Sequence, residues 1–149
     1  MIRNGKPLNR DFPVNPFISR KKKYGGVSYG RSEGGYDIRI AQSVTLWPVF
    51  GRFKLASSLE YFDMPDDLLA IVHDKSTWAR SGLSVFNTVI EPGWKGYLTI
   101  ELVYHGWKPL TISAGTGIAQ VIFHELTEPA QYRGKYQDQP DMPVKARFG

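Results

Sequence analysis

The chain has 149 residues, no cysteine and a formal charge of +5 at neutral pH, with 42% hydrophobic and 13% aromatic residues. These figures predict one domain with a genuine core. They exclude disulfides, thiolate nucleophiles and cysteine-ligated metals, and no apolar run approaches the ~20 residues of a membrane-spanning helix.

The first residues, MIRNGKPLNRDFPVNPF, lack the apolar stretch of a secretory signal, so a cytoplasmic location and no membrane partner are expected. The positive charge favours an anionic partner, either nucleic acid or a polyphosphate. Arg20-Lys21-Lys22-Lys23 is the one basic run. Four charges in a Gly-flanked loop read as a solvated turn, which makes nucleic acid the weaker of the two partners.

Residues 1–26 are polar, contain Pro and Gly, and show no clear periodicity, so they read as an extended N-terminal arm. Short β-type runs then follow at Tyr36–Ile40, Ser43–Val49, Phe53–Tyr61, Leu68–His73, Leu83–Phe86, Gly96–Tyr104, Leu110–Ser113 and Gly117–Glu125. Turn residues such as Gly34-Gly35, Met64-Pro65-Asp66-Asp67 and Glu91-Pro92-Gly93 separate them. Many short strands at this spacing predict an all-β sandwich, barrel or jelly roll. One short helix is expected at Ser76–Ser81, capped by Asp74 or Ser76 and closed at Gly82, with N-terminal N–H groups suited to phosphate. The tail from Pro129 to Gly149 has little core-forming pattern and is expected to order only over a ligand or a neighbouring subunit.

The chemistry concentrates between Asp74 and Glu101. In Leu98-Thr99-Ile100-Glu101-Leu102-Val103-Tyr104, period-two alternation puts Leu98, Ile100, Leu102 and Tyr104 on one face. Thr99, Glu101 and Val103 take the other. An acid between Thr and Val on a face suited to cover costs free energy unless it is paired or used. Ser76 and Arg80, at i and i+4, share a helix face, and Arg80 offers a rigid fork of donors. Glu91 opens a rigid turn from which a carboxylate can accept a hydrogen bond from a hydroxyl. Taken singly, Ser76 reads as a cap, Arg80 as a surface ion-pair partner and Glu91 as a turn acid; their concentration beside a strand acid argues for a site.

Other chemistries fit poorly. His73, His105 and His124 lie far apart, without an HExxH pair. The chain cannot supply the H-x-E…P-C-x-x-C signature of zinc base deaminases, so no zinc is expected. It has neither a GxSxG elbow nor a Walker loop. For an enzyme, water activation by a carboxylate is what remains, with Glu101 or Glu91 as the acid.

These segments resemble the dCTP deaminase branch of the dCTP deaminase/dUTPase superfamily. Val27-Ser28-Tyr29-Gly30 with Gly35-Tyr36-Asp37-Ile38-Arg39 is similar to the family's SYG…GYDxR segment. Leu55-Ala56-Ser57-Ser58-Leu59-Glu60-Tyr61 with Pro65-Asp66-Asp67-Leu68 resembles LAxTxEYxxxPxDL, with Ser58 at the threonine position. Lys75-Ser76-Thr77-Trp78-Ala79-Arg80-Ser81-Gly82-Leu83 resembles KSSxARxGL, and Glu91-Pro92-Gly93-Trp94-Lys95-Gly96 before Leu98-Thr99-Ile100-Glu101 resembles (D/E)PGWxGxhTLE. Gly117-Ile118-Ala119-Gln120 and Gly134-Lys135-Tyr136-Gln137-Asp138-Gln139 complete a series over about residues 27–140. The chain is a compact version: the loop between Trp47 and Phe53 is short, and Val89 replaces a small residue or proline.

The resemblance implies a homotrimer of distorted jelly-roll, dUTPase-type subunits with inter-subunit active sites and Mg²⁺ bound through the triphosphate. It divides the chain into an arm (1–26), a β domain (27–128) and a tail closing over the nucleotide (129–149). It implies conversion of dCTP to dUTP and ammonia, supplying deoxyuridine nucleotides for thymidylate synthesis, with continuation to dUMP and pyrophosphate in bifunctional forms. Glu101 would be the general base, with Ser76 and Arg80 orienting it and its water. The backbone at Thr88 and Val89 would meet the water or the cytosine amino group, and Glu91 the deoxyribose 3′-hydroxyl. Lys75, Ser76, Gln120, Tyr132, Lys135 and Gln139 would hold base or phosphates. The alternatives are a dUTPase, which does not need a base at Glu101, and a non-catalytic nucleotide- or nucleic-acid-binding protein on the same scaffold.

Overall fold

A computed structural model describes residues 1–4 and 12–149. In chain order the elements are β1 (Ile2–Arg3), β2 (Val14–Asn15), β3 (Lys22–Tyr24), β4 (Val27–Arg31), β5 (Tyr36–Arg39), β6 (Val44–Leu46), β7 (Phe53–Asp63), β8 (Leu68–Asp74), α1 (Ser76–Ala79), β9 (Leu83–Val85), β10 (Val89–Ile90), β11 (Lys95–Tyr104), β12 (Leu110–Ile112) and β13 (Gly117–Glu125). The nearly all-β architecture with one short helix matches the expectation.

The largest sheet runs β10-β8-β13-β5-β4-β3, with β1 continuing along the β13 edge that β5 leaves free. A second sheet runs β2-β7-β11-β9, and β12 pairs β6. All of these pairings are antiparallel. A bridge between Ile40 and Ser58 carries the end of β5 across to β7. The two larger sheets bury their alternate residues against each other: Ile38, Val72, Val121 and Phe123 from one, Ala56, Phe62, Ile100 and Leu102 from the other.

The expected bounds of β5, β7, β8, β9, β11, β12 and β13 hold to within one or two residues, and burial is heaviest in the long strands β7, β8, β11 and β13. The predicted Ser43–Val49 strand shrinks to β6, ending before Pro48, which has no N–H for a ladder. The expected arm is partly structured: β1 and β2 join the two larger sheets, and Val14 is buried. The basic run is not a loop, because Lys22 and Lys23 lie on β3, hairpinned to β4 through Gly25 and Gly26 at positive φ.

Helix α1 is shorter than predicted and differently capped. Lys75 occupies its N-cap without a side-chain hydrogen bond. The Asp74 carboxylate instead accepts the Val85 N–H at 2.6 Å, tying the helix to the following strand. Gly82, at φ +86, turns the chain out of the helix as expected.

The tail packs on its own chain along the turn into β11. Trp94 Nε1 donates to the Tyr136 carbonyl at 2.6 Å, Asp138 N–H to Lys95 at 2.9 Å, and Tyr97 N–H to Gln139 at 3.1 Å. Gly96 and Gln139 form a parallel bridge.

Candidate active site

The polar face of β11 is covered, as its residue types suggest. Thr99 is buried and Glu101 is half-buried, with Leu55 of β7 opposite Glu101 in the ladder. On the other side, Phe86 N–H donates to the Glu101 carbonyl at 3.1 Å. The Glu101 carboxyl therefore stands among apolar neighbours, and its Oε2 is buried without a hydrogen-bond partner among the described residues. Burial pushes the carboxyl above the usual carboxylate range, with a smaller opposing pull from its own backbone N–H.

Glu101 lines a cavity of about 360 Å³, a volume in the range of small-molecule sites. The cavity brings together Thr88, Val89, Glu91, Glu101, Tyr132 and Gln139, six of the residues singled out from the sequence. Leu55, Ile90 and Leu98 form apolar walls, and Val144 and Ala146 of the tail close another side. The site thus offers apolar surface for a flat ring and, in Glu101, a carboxyl free to exchange a proton. Among the described residues no group of three or more His, Cys, Asp and Glu side chains is placed to hold a metal ion.

The other predicted residues lie outside this cavity's lining: Lys75, Ser76, Arg80, Gln120 and Lys135. Ser76 and Arg80 are exposed on and just after α1, which Trp78 pins by donating Nε1–H to the Gly117 carbonyl at 2.7 Å. Lys75 Nζ is bound to Asp37 Oδ2 at 2.5 Å, and Ser28 Oγ reaches the same oxygen at 3.2 Å. Gln120, opposite Asp37 in the β13–β5 ladder, donates to Ser32 Oγ at 2.9 Å. Lys135 is exposed, its ammonium on the Arg147 carbonyl and near the Tyr136 ring. Sequence reasoning passed over Asp37 and the hydroxyl of Thr99 as site residues. Asp37 stands inside the GYD segment, so a signal for it was present; Thr99 gave none beyond its place two residues before Glu101.

A family model described as "dCTP deaminase-like" matches residues 30–126. The chain belongs to that family. The dCTP deaminase of Campylobacter curvus is 38% identical, with 85% of each chain covered, and that of Roseiflexus castenholzii is 37% identical over 85% of this chain and 86% of the other. Among solved structures, the fold is similar to a dUTPase of Staphylococcus aureus phage phi11, with a TM-score of 0.61 over 82% of this chain and 94% of that one at 15% identity. A mutant of the same phage enzyme, described with a structural Mg(II) ion, gives 0.59 over 70% and 85%. The EIAV dUTPase gives 0.57 over the same shares at 17% identity. The dCTP deaminase-like family thus has a dUTPase-type fold in this member, as the resemblance implied. No helix among the described residues is long and apolar enough to cross a membrane.

Proposed function

We propose that this chain is a dCTP deaminase, hydrolysing dCTP to dUTP and ammonia with Glu101 as general base. The observation that carries the reading is the half-buried Glu101 carboxyl, with an unpartnered oxygen, in the wall of a nucleoside-sized cavity. Glu101 takes a proton from water as the oxygen bonds to cytosine C4, and passes that proton to N3. The hydroxyl proton of the tetrahedral carbon then travels through Glu101 to the amino nitrogen. The C4–N bond breaks, ammonia leaves and the C4 carbonyl forms. Burial, which raises the proton affinity of Glu101, suits a group that must both accept and return a proton.

Ser76 and Arg80 are absent from the cavity wall of their own chain, and Phe53, Phe86 and Val89 are exposed beside it. Both facts support a homotrimer in which the partner subunit's Ser76 and Arg80 orient Glu101 and its water. The backbone at Thr88 and Val89 faces the amino group, and Glu91 accepts from the 3′-hydroxyl. Tyr132 and Gln139 hold the nucleotide, and Lys75, Gln120 and Lys135 meet phosphates at the shared site. Mg²⁺ would fit as the counter-ion of the triphosphate, whose oxygens would supply the ligands that the described residues do not cluster, and would there neutralise phosphate charge.

The test is incubation of the purified protein with Mg²⁺ and dCTP or dUTP, separating nucleotides and assaying ammonia. dUTP plus ammonia from dCTP is the expected result, and dUMP from dCTP would add the second activity. Turnover of dUTP alone would make the chain a dUTPase; turnover of neither would favour the non-catalytic binding protein.

A further inference from the structure

The excess positive charge of the chain sits in one segment. Residues 12–32 hold Arg20, Lys21, Lys22, Lys23 and Arg31 and no acid; the other 14 lysines and arginines are matched by the 14 acids of the whole chain. The β3–β4 hairpin gathers this charge on one ribbon. Lys21 is tied to Glu33 at 2.6 Å, whereas Arg20, Lys22 and Lys23 are exposed and have no ion-pair partner among the described residues.

Strand β3 ends the largest sheet and pairs only β4. Side chains alternate along a strand, so Lys22 and Tyr24 point one way and Lys23 the other. Arg20 and Lys22 line a shallow groove of about 330 Å³ with Phe17, Ile18 and Ser19. Two aromatic rings accompany these cations. Tyr24 is 53% exposed, and Phe17 is 39% exposed and held against Phe12 and Tyr36, with ring centroids 4.5 and 5.9 Å away. Lysine on an edge strand guards against strand pairing, a role that accounts for Lys22 or Lys23 but not for the exposed rings beside them. The groove shares no lining residue with the cavity at Glu101.

We propose that this groove and ribbon bind single-stranded nucleic acid, apart from the nucleotide cavity. Arg20 and Lys22 meet phosphates, and unpaired bases stack on Tyr24 and Phe17. Cations beside exposed rings suit a single strand, because the backbone follows the charge and every unpaired base offers a face for stacking. A duplex keeps its base faces covered and leaves the rings unused. Phosphate and stacking contacts read no base edge, so binding is independent of sequence. The proposal stands whether or not the cavity deaminates dCTP.

The experiment follows fluorescence anisotropy of a labelled thymidine 20-mer with the full chain, its Lys22→Gln variant and its Tyr24→Ala variant, from 50 to 200 mM salt. Both side chains are exposed, and unfolding midpoints equal to wild type confirm that the variants fold. Wild type should bind with a dissociation constant of about 1–100 µM at physiological salt. Its affinity should fall at least about sevenfold across the salt range, as two neutralised phosphates require. Lys22→Gln should make the logarithmic salt slope shallower by about 0.7. Tyr24→Ala should weaken binding about tenfold with the slope unchanged, on the scale of one lost base stack. A duplex of the same length should bind more weakly. No salt-dependent binding by wild type would overturn the proposal, as would both variants binding like wild type. A duplex bound as tightly, with Tyr24→Ala silent, would overturn it in favour of a general polyanion surface.

Discussion

Lys75 Nζ and Asp37 Oδ2 are 2.5 Å apart, with the two side chains only 10% and 4% exposed. The pair joins the residue before α1 to β5 of the large sheet, and so sets where Ser76 and Arg80 are carried. Asp37 Oδ1 is buried and unpartnered among the described residues, which leaves the cluster short of one donor. Removing one member of such a pair strands a charge in the interior. Asp37→Ala should therefore lower the unfolding free energy by about 3 kcal/mol, read from denaturant midpoints. A change below about 0.5 kcal/mol, the size of a surface substitution effect, would show the pair to be ornamental.

Glu101 should lower stability in return for its chemistry. Its carboxyl titrates higher folded than unfolded because of burial, so its contribution to stability is fully present below the unfolded value near 4.5 and is lost as pH rises through the folded value. Glu101→Gln should be more stable than wild type at pH 7 to 8, and the difference should close below about pH 4.5. Thermal or denaturant unfolding of both proteins across this range checks the sign. A wild type more stable than the variant at neutral pH would mean that Glu101 has a partner not seen among its neighbours.

Gly96 marks where the tail lies against β11. It sits at φ +141, and a Cβ there would stand 2.6 Å from the Gln139 backbone nitrogen. Gly96→Ala cannot relieve this by moving a flexible side chain, because backbone is in the way. Exchange at Asp138 and Tyr97 should speed up, and KM for dCTP should rise by about tenfold or more, a loss on the scale of a few hydrogen bonds. Unchanged exchange would mean the tail approaches β11 less closely than described.

Arg39 and Glu60 form a second interior pair, with Glu60 fully buried and Arg39 Nε 2.7 Å from its Oε1. Arg39 N–H also donates to Glu60 Oε2 at 2.8 Å. Burial still outweighs these contacts and holds the Glu60 carboxyl above its ordinary range. Arg39→Ala should cost about 3–5 kcal/mol by leaving that carboxyl under-satisfied. Arg39→Ala with Glu60→Leu should recover much of the loss, as unfolding of the single and double variants would show.

The strands that bury one face were legible because burial imposes a period of two on their residues, as β11 shows with Leu98, Ile100, Leu102 and Tyr104. Strand β3 was not, since Lys22, Lys23 and Tyr24 are all exposed and carry no alternation. Neither were β1, β2 and β10, whose two residues are too few for a pattern. Glu101 could be found because an acid on a covered face is costly. The dense Asp74–Glu101 segment pointed to one site, yet its α1 residues stand outside the cavity that holds Thr88, Glu91 and Glu101. The tail's path was not legible for a physical reason. It is held by backbone groups and by Gln131, Gln137 and Gln139, polar anchors that leave no hydrophobic period. The contacts of the Thr99 hydroxyl are with partners 40 and 45 residues away, a distance no local pattern spans.

The most direct test of the account compares wild type and Glu101→Gln for dCTP binding and for ammonia release. With Glu101 as the base, the variant should bind dCTP within a few-fold of wild type while turnover falls by about 10²–10⁴-fold, the range of general acid–base catalysis. Ammonia release by Glu101→Gln close to the wild-type rate would contradict it.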